Sequence, residues 1–308
     1  MIRKKWTYED IPNQSGRVVV ITGANSGIGY QEALMLAKKG AKIILAGRDL
    51  KKVRTAINHI LNEVPSAKLD YVILDLADLD SVFRCAEEIQ SKYESLDLLI
   101  NNAGVMIPPF SRTKQGFELQ LGTNHLGHYA LTGKLLPLIL KTPNSRIISM
   151  TSLAGVLGSI NFNDLNYDQD RHYIKMLAYG QSKLANIMFI NELANRLKQA
   201  GSNVIAALAH PGGSATNLQK NGDFFFRRIL TPLTSHPVSE AALPILRAAC
   251  DTQIKNGSFL APSGILQLTG SPVEVKMPAK AINKSRCNQL WTISEKLTNV
   301  SYDKFLPG

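Results

Sequence analysis

At 308 residues, with 44% hydrophobic and 19% charged positions, the chain has the size and balance of a folded globular protein with one large core or two modest ones. The formal charge of +11 raises nucleic acid as a partner, but Lys and Arg are scattered with no aromatic-interleaved basic run, which sets nucleic acid aside. Three distant cysteines (Cys85, Cys250, Cys287) exclude a disulfide scaffold and a thiolate metal site, and suit a reducing, cytoplasmic compartment.

After a polar arm, 17–22 reads as a short apolar strand of the kind covered on both faces, followed by a helix over 27–39. A strand at 42–46 leads to a helix across 49–63, with Asp49 as its N-cap. The alternation continues: strands near 69–74, 96–100, 146–150 and 203–209, and helices near 79–93, 115–140 and 172–199. Strand–helix alternation predicts right-handed crossovers and one doubly wound parallel α/β sheet, a Rossmann-type domain with its core over about 15–265. Beyond 213 the regularity falters. A helix near 238–250, a strand near 258–261 and a last helix near 286–298 remain, and 266–308 is expected to be an irregular extension covering the substrate. The Arg3-Lys4-Lys5 start precedes no apolar stretch of signal-peptide length. Nowhere do eighteen apolar residues run together, so no transmembrane segment is expected. The basic field suits a polyanionic cofactor or an anionic membrane surface touched peripherally, and equally a lysine-rich surface with no specific partner.

The first strand runs into Thr22-Gly23-Ala24-Asn25-Ser26-Gly27-Ile28-Gly29, which opens the first helix. Glycines there allow a tight turn and close backbone approach to a pyrophosphate, while the helix N-terminus offers free N–H groups and partial positive charge. The second strand ends without a carboxylate, at Ala46-Gly47-Arg48. An acidic residue there would take a ribose 2′-hydroxyl; the Arg48 guanidinium suits a 2′-phosphate, a contact worth roughly 1.5–3 kcal/mol. NADP(H) is therefore expected over NAD(H). Asp75, followed by Leu76, ends the third strand and can accept from an adenine amino group or cap the next turn. Asn101-Asn102-Ala103-Gly104 ends the fourth, where small residues let a ribose or ring lie against backbone.

Tyr179 and Lys183 share one helix face at i and i+4. A phenol near pKa 10 is a poor base at neutrality, and a nearby ammonium can lower it by roughly 1–3 units. Tyr179 can then take a proton from an alcohol or give one to a developing alkoxide. Ser152, just past the strand 146–150, can donate to the substrate oxygen, and Asn124 can hold a water linking Lys183 to solvent.

With these motifs in order, the chain resembles the short-chain dehydrogenase/reductase family over about 15–265. The resemblance implies a catalytic tetrad of Asn124, Ser152, Tyr179 and Lys183. It implies that Tyr179 and Lys183 also reach the cofactor, and that Pro211, Gly212 and Thr216 grip its nicotinamide end. The gap from Ser152 to Tyr179 carries an insertion, with Asn161-Phe162-Asn163-Asp164-Leu165-Asn166 and Tyr173, that resembles the retinol dehydrogenase and WW-domain oxidoreductase-like branch. The expected activity is an NADP(H)-dependent oxidoreductase on an apolar alcohol, aldehyde or ketone; a non-enzymatic NADP(H)-binding sensor or scaffold is the alternative.

Other features are weighed against plainer roles. His125 and His128 lack a third ligand at metal spacing, so no metal is expected. His210 is expected to set its loop, and 135–140 to be core or a subunit contact and not a membrane anchor. The Phe224–Phe226 cluster, with Arg227 and Arg228, can line a lipophilic pocket, touch a membrane or pack under a helix. The helix 172–199 is apolar on more than one side, which suggests a subunit contact and a homodimer, or a helix that covers the sheet.

Overall fold

The computed structural model describes residues 5–169, 172–213 and 237–306. Its elements alternate as the periodicity predicts: β1 (Val18–Thr22), α1 (Gly27–Lys38), β2 (Lys42–Gly47), α2 (Leu50–Glu63), β3 (Lys68–Ile73), α3 (Leu79–Lys92) and β4 (Leu98–Asn101). A short α4 (Leu119–Leu121) then runs through a π-helical turn, Gly122–Leu126, into α5 (Gly127–Leu140). β5 (Arg146–Met150), α6 (Leu153–Leu157), the long α7 (Lys175–Gln199) and β6 (Ile205–Ala209) follow. After them come α8 (Val238–Ala241), α9 (Leu243–Cys250), β7 (Phe259–Pro262), β8 (Pro272–Glu274) and α10 (Lys284–Thr298).

The strands form one sheet in the order β3-β2-β1-β4-β5-β6-β7-β8, parallel except for β8, which runs antiparallel to β7. β1 lies between β2 and β4, with Val19 opposite Ile43 on one side and Leu98 on the other. Chain order reverses direction across the sheet here, so a crevice opens beyond the C-terminal ends of β1 and β4, the usual ligand position in doubly wound sheets. Alternate residues of each central strand enter different cores. Val20 and Leu99 face the core with α3, α5 and α7; Val19, Ile21 and Leu98 face the one with α1, α2 and α9.

The apolar excess of α7 is covered within the chain. α10 packs on α7, and its Trp291 joins Tyr129, Phe189 and Tyr302 in one aromatic cluster with centroids 4.7 to 6.4 Å apart. The Arg196 guanidinium lies over the Trp291 ring at 4.4 Å. Gly133 admits Tyr302, because a Cβ there would meet its ring at 2.8 Å. The face read as a subunit contact thus belongs to the protein's own C-terminal helix. The 135–140 run is core, with Leu135, Leu136 and Ile139 fully buried. No helix among the described residues is long and apolar enough to cross a membrane.

Trp291→Ala should cost about 3–5 kcal/mol of unfolding free energy in a denaturant titration, the usual range for a buried aromatic. A loss under about 1 kcal/mol would show that α10 is not part of the cooperative core.

Candidate active site

The turn after β1 is held by hydroxyl and amide bonds to the turn after β4. Thr22 Oγ1 accepts the backbone N–H of Asn102 at 3.0 Å and of Ala103 at 2.9 Å, and Asn102 Nδ2 donates to Thr22 O at 2.7 Å. Gly23 has φ of +69°, and a Cβ on Gly29 would sit 2.4 Å from Asn102 Nδ2 and 2.7 Å from Gly23 O. Glycine at these positions is therefore obligatory for the close approach. Ser26 occupies the N-cap of the twelve-residue α1 without a side-chain capping bond. The N–H groups of that first turn are not capped by the Ser26 side chain, the donor set a pyrophosphate fits.

The end of β2 also fits a phosphorylated ribose. A Cβ on Gly47 would meet Val53 Cγ2 at 2.9 Å and Asn25 Oδ1 at 3.2 Å, so a carboxylate side chain has no room there. Arg48 is exposed and has no hydrogen-bond or ion-pair partner among the described residues. Asp49 caps α2, accepting from Lys52 N at 3.1 Å, as its position predicts. Beside this turn a cavity of about 540 Å³ opens between α1 and α2, lined by Asn25, Ser26, Tyr30, Lys51, Lys52 and His59. Asp75 spends one carboxylate oxygen on Ala77 N at 2.9 Å, so it caps its own turn. Leu76 is buried against the start of α5.

A second cavity, of about 130 Å³, continues along the C-terminal edge of the sheet. Ile28, Asn102, Gly104, Ser152, Tyr179, Lys183, Pro211 and Gly212 all line it. The structure thus brings together residues from five separate motifs. Ser152 caps α6, while its side chain is hydrogen-bonded to the Tyr179 phenol. Lys183 is buried; its Nζ reaches Met150 O at 3.4 Å and lies 5.8 Å from the Tyr179 ring centre. Asn124 sits in the π turn and clamps the strand-end loop, accepting from Val105 N at 2.7 Å and donating to Val105 O at 2.9 Å. Its amide also donates to Ser182 Oγ at 2.9 Å, and Ser182 donates on to Tyr179 O, which ties the π turn to the Tyr–Lys helix. Thr216, Phe224–Phe226, Arg227 and Arg228 lie outside the described residues.

A family model described as short chain dehydrogenase matches residues 17–165. Human retinol dehydrogenase 13 is 40% identical over 290 residues, spanning 92% of this chain and 85% of its own. An uncharacterised oxidoreductase of Schizosaccharomyces pombe is 38% identical, over 85% of this chain and 82% of that one. This chain belongs to the short-chain dehydrogenase family. Its relatives place it in the retinol dehydrogenase-like branch, as the insertion before Tyr179 suggests. Among solved structures, an uncharacterised Mycobacterium paratuberculosis protein superposes with a TM-score of 0.82 at 38% identity, over 97% of this chain and 99% of that one. An Escherichia coli short chain dehydrogenase complexed with NADPH superposes with a TM-score of 0.64 at 25% identity, over 80% and 96%.

In this short-chain dehydrogenase the insertion is bolted to the site. Tyr173 donates to Glu118 Oε1 at 2.8 Å and accepts from Gln120 Nε2 at 2.9 Å. Gln120 Oε1 in turn accepts from Ile107 N, and Asn166 Oδ1 from Glu118 N. Glu118, Gln120 and Ser182 carry no motif, so nothing in a single sequence marks them; each matters only through partners far along the chain. His210 sets its loop as expected, accepting from Gly212 N and bonding Gln267. His125 and His128 point their rings into the protein, at Ser294 and at Thr22, and do not converge on a metal site.

The expected acidification of the phenol by its lysine is not met by the protein's own groups. Burial pushes Tyr179 up to about 12, offset in part by the Ser152 bond. Burial likewise pushes Lys183 down to about 8. Desolvation governs both groups, and neither shift carries a contribution from the other. For Lys183 the sign is definite. The unfolded chain, near 10.5, binds more protons than the folded one between pH 8 and 10.5, so stability rises with pH across that window. Lys183→Met should remove this slope and raise the melting temperature of the cofactor-free protein at pH 7, as measured by calorimetry. A lowered melting temperature would show that the amine stabilises the empty fold.

Proposed function

We propose that this protein transfers hydride between NADP(H) and an apolar alcohol or carbonyl substrate, with Tyr179 as general acid and base. The observation that carries the reading is the shared cavity: phenol, serine hydroxyl and buried amine line one cleft together with Ile28 of the glycine turn. The α1 N–H groups and glycine turn would hold the pyrophosphate, Arg48 the 2′-phosphate, Asn102–Gly104 and Lys183 the nicotinamide ribose, and Pro211–Gly212 the nicotinamide. Bound there, the dinucleotide supplies the carbon that gives or takes hydride. The NADPH found in the Escherichia coli relative supports this choice, as do the absent carboxylate at Gly47 and the guanidinium of Arg48, which has no partner among the described residues.

The residues divide the proton work. Ser152 donates to the substrate oxygen and orients the Tyr179 hydroxyl, so that developing negative charge meets two hydroxyl groups. Tyr179 moves the proton. Lys183, once charged, favours phenolate and so makes the same group usable as a base for alcohol oxidation. Asn124 holds the Val105 backbone and the Lys183 helix in register. The apolar character of the substrate is supported by Ile28, Val105 and Met106 in the cleft lining, and by Leu157 at the end of the turn that Ser152 starts, 76% exposed.

Consumption of NADPH against a panel of aldehydes and ketones tests the reading. With an accepted substrate, Tyr179→Phe should lower kcat by at least about 100-fold, the contribution expected of a positioned acid–base. Unchanged turnover would refute the assignment. Arg48→Ala should weaken NADPH binding by roughly tenfold or more while leaving NADH almost unaffected, from the loss of one charged hydrogen bond. Equal effects on both would refute the 2′-phosphate role.

A further inference from the structure

One buried side chain beside the site has no role in that reading. His128, one helical turn past Asn124, is almost wholly buried. Its Nδ1 lies 3.0 Å from the Asn124 carbonyl oxygen and its Nε2 lies 2.9 Å from Thr22 Oγ1. The imidazole therefore spans the gap between the π turn that carries Asn124 and the strand that feeds the glycine turn.

The Thr22 hydroxyl fixes where the imidazole proton sits. Its oxygen already accepts two backbone N–H groups, from Asn102 and Ala103, which occupy both lone pairs. Its own hydrogen must then be donated. Two acceptors are in reach, and His128 Nε2 at 2.9 Å is better placed than Ile100 O at 3.4 Å. Nε2 accordingly accepts, the proton rests on Nδ1, and Nδ1–H donates to Asn124 O. That carbonyl lies in the π turn, where the regular i→i−4 ladder is displaced. Every polar atom of the bridge is then satisfied, as a buried network requires. Burial also pushes the His128 pKa down to about 4, so the ring is neutral at working pH.

We propose that His128, as the neutral Nδ1–H tautomer, is a positioning residue that ties the catalytic π turn to the nucleotide-binding strand. Through Thr22 it acts on the Asn102–Ala103 turn, against which the cofactor would lie. Through Asn124 O it acts on the residue that clamps Val105 and the Tyr–Lys helix. This role rests on the proposed NADP(H) reaction for its consequences, while the tautomer itself does not depend on it.

Two measurements decide it. In ¹⁵N-edited NMR of the intact cofactor-free protein, the His128 ring should show a protonated Nδ1 and an unprotonated Nε2; the opposite tautomer overturns the proposal. Kinetics of two variants supply the second. His128→Phe keeps ring volume but no hydrogen bond, and should lower kcat and weaken NADPH binding by about tenfold each, as expected for unsatisfied buried partners. His128→Asn retains a donor at the Nδ1 position but does not reach Thr22. It should recover most of the kcat while NADPH binding stays about tenfold weak, the same loss of one buried partner. If His128 merely fills space, the order reverses, and a Phe variant with the higher kcat overturns the proposal. Should the unaltered protein oxidise NADPH with no substrate in the panel, the proposed reaction fails and the tautomer alone decides the bridge.

Discussion

A primary amine and a phenol are buried together at the C-terminal edge of a parallel sheet, and the rest of the site is arranged around that constraint. Burying either group costs free energy, and here neither is relieved by the other: Tyr179 is pushed up and Lys183 down. Such a pair persists only where the surrounding fold is stable enough to carry it and where function uses it. The supports are visible. Asn124, Ser182 and Met150 hold the amine and its helix, and Ser152 holds the phenol.

The proposed cofactor and catalytic halves meet through very few atoms. Thr22 is at once the last residue of β1, the acceptor of two amides from the turn after β4, and the neighbour of His128. Asn124 is at once part of the π turn, the clamp on Val105 and a donor to the Tyr–Lys helix. A π turn adds one residue to a helix and redirects its side chains, so it can aim Asn124 at a loop that a regular helix would pass by. The rigid sheet supplies position; these polar contacts supply orientation.

Much of the fold was legible in the sequence because parallel strands buried on both faces read as short apolar runs, and those from 17–22 to 203–209 stand where the runs predict them. The candidate site was legible because its motifs are unusual in combination: Ile28 of the glycine turn, Asn102, Gly104, Ser152, Tyr179 and Lys183 line one crevice. Three things were not. α6 and β8 are too short to show a period. Glu118, Gln120 and Tyr173 become a network only when the insertion folds back across more than fifty residues of chain. The second apolar face of α7 left a subunit contact and a covering role within the chain both open, because periodicity shows that a face is covered, not by what; Trp291 and Tyr302 supply the cover from the C-terminal end.

The account turns on the claim that the Tyr179 phenol becomes acidic only when its site is completed by a cationic ring and a charged Lys183. The direct measurement is an ultraviolet difference titration of phenolate, with and without saturating NADP⁺, using Tyr179→Phe as the blank. We predict that NADP⁺ lowers the Tyr179 pKa from its cofactor-free position by at least about 1–3 units, and that Lys183→Met abolishes the shift. A phenol that titrates at the same pH in both states would contradict the account.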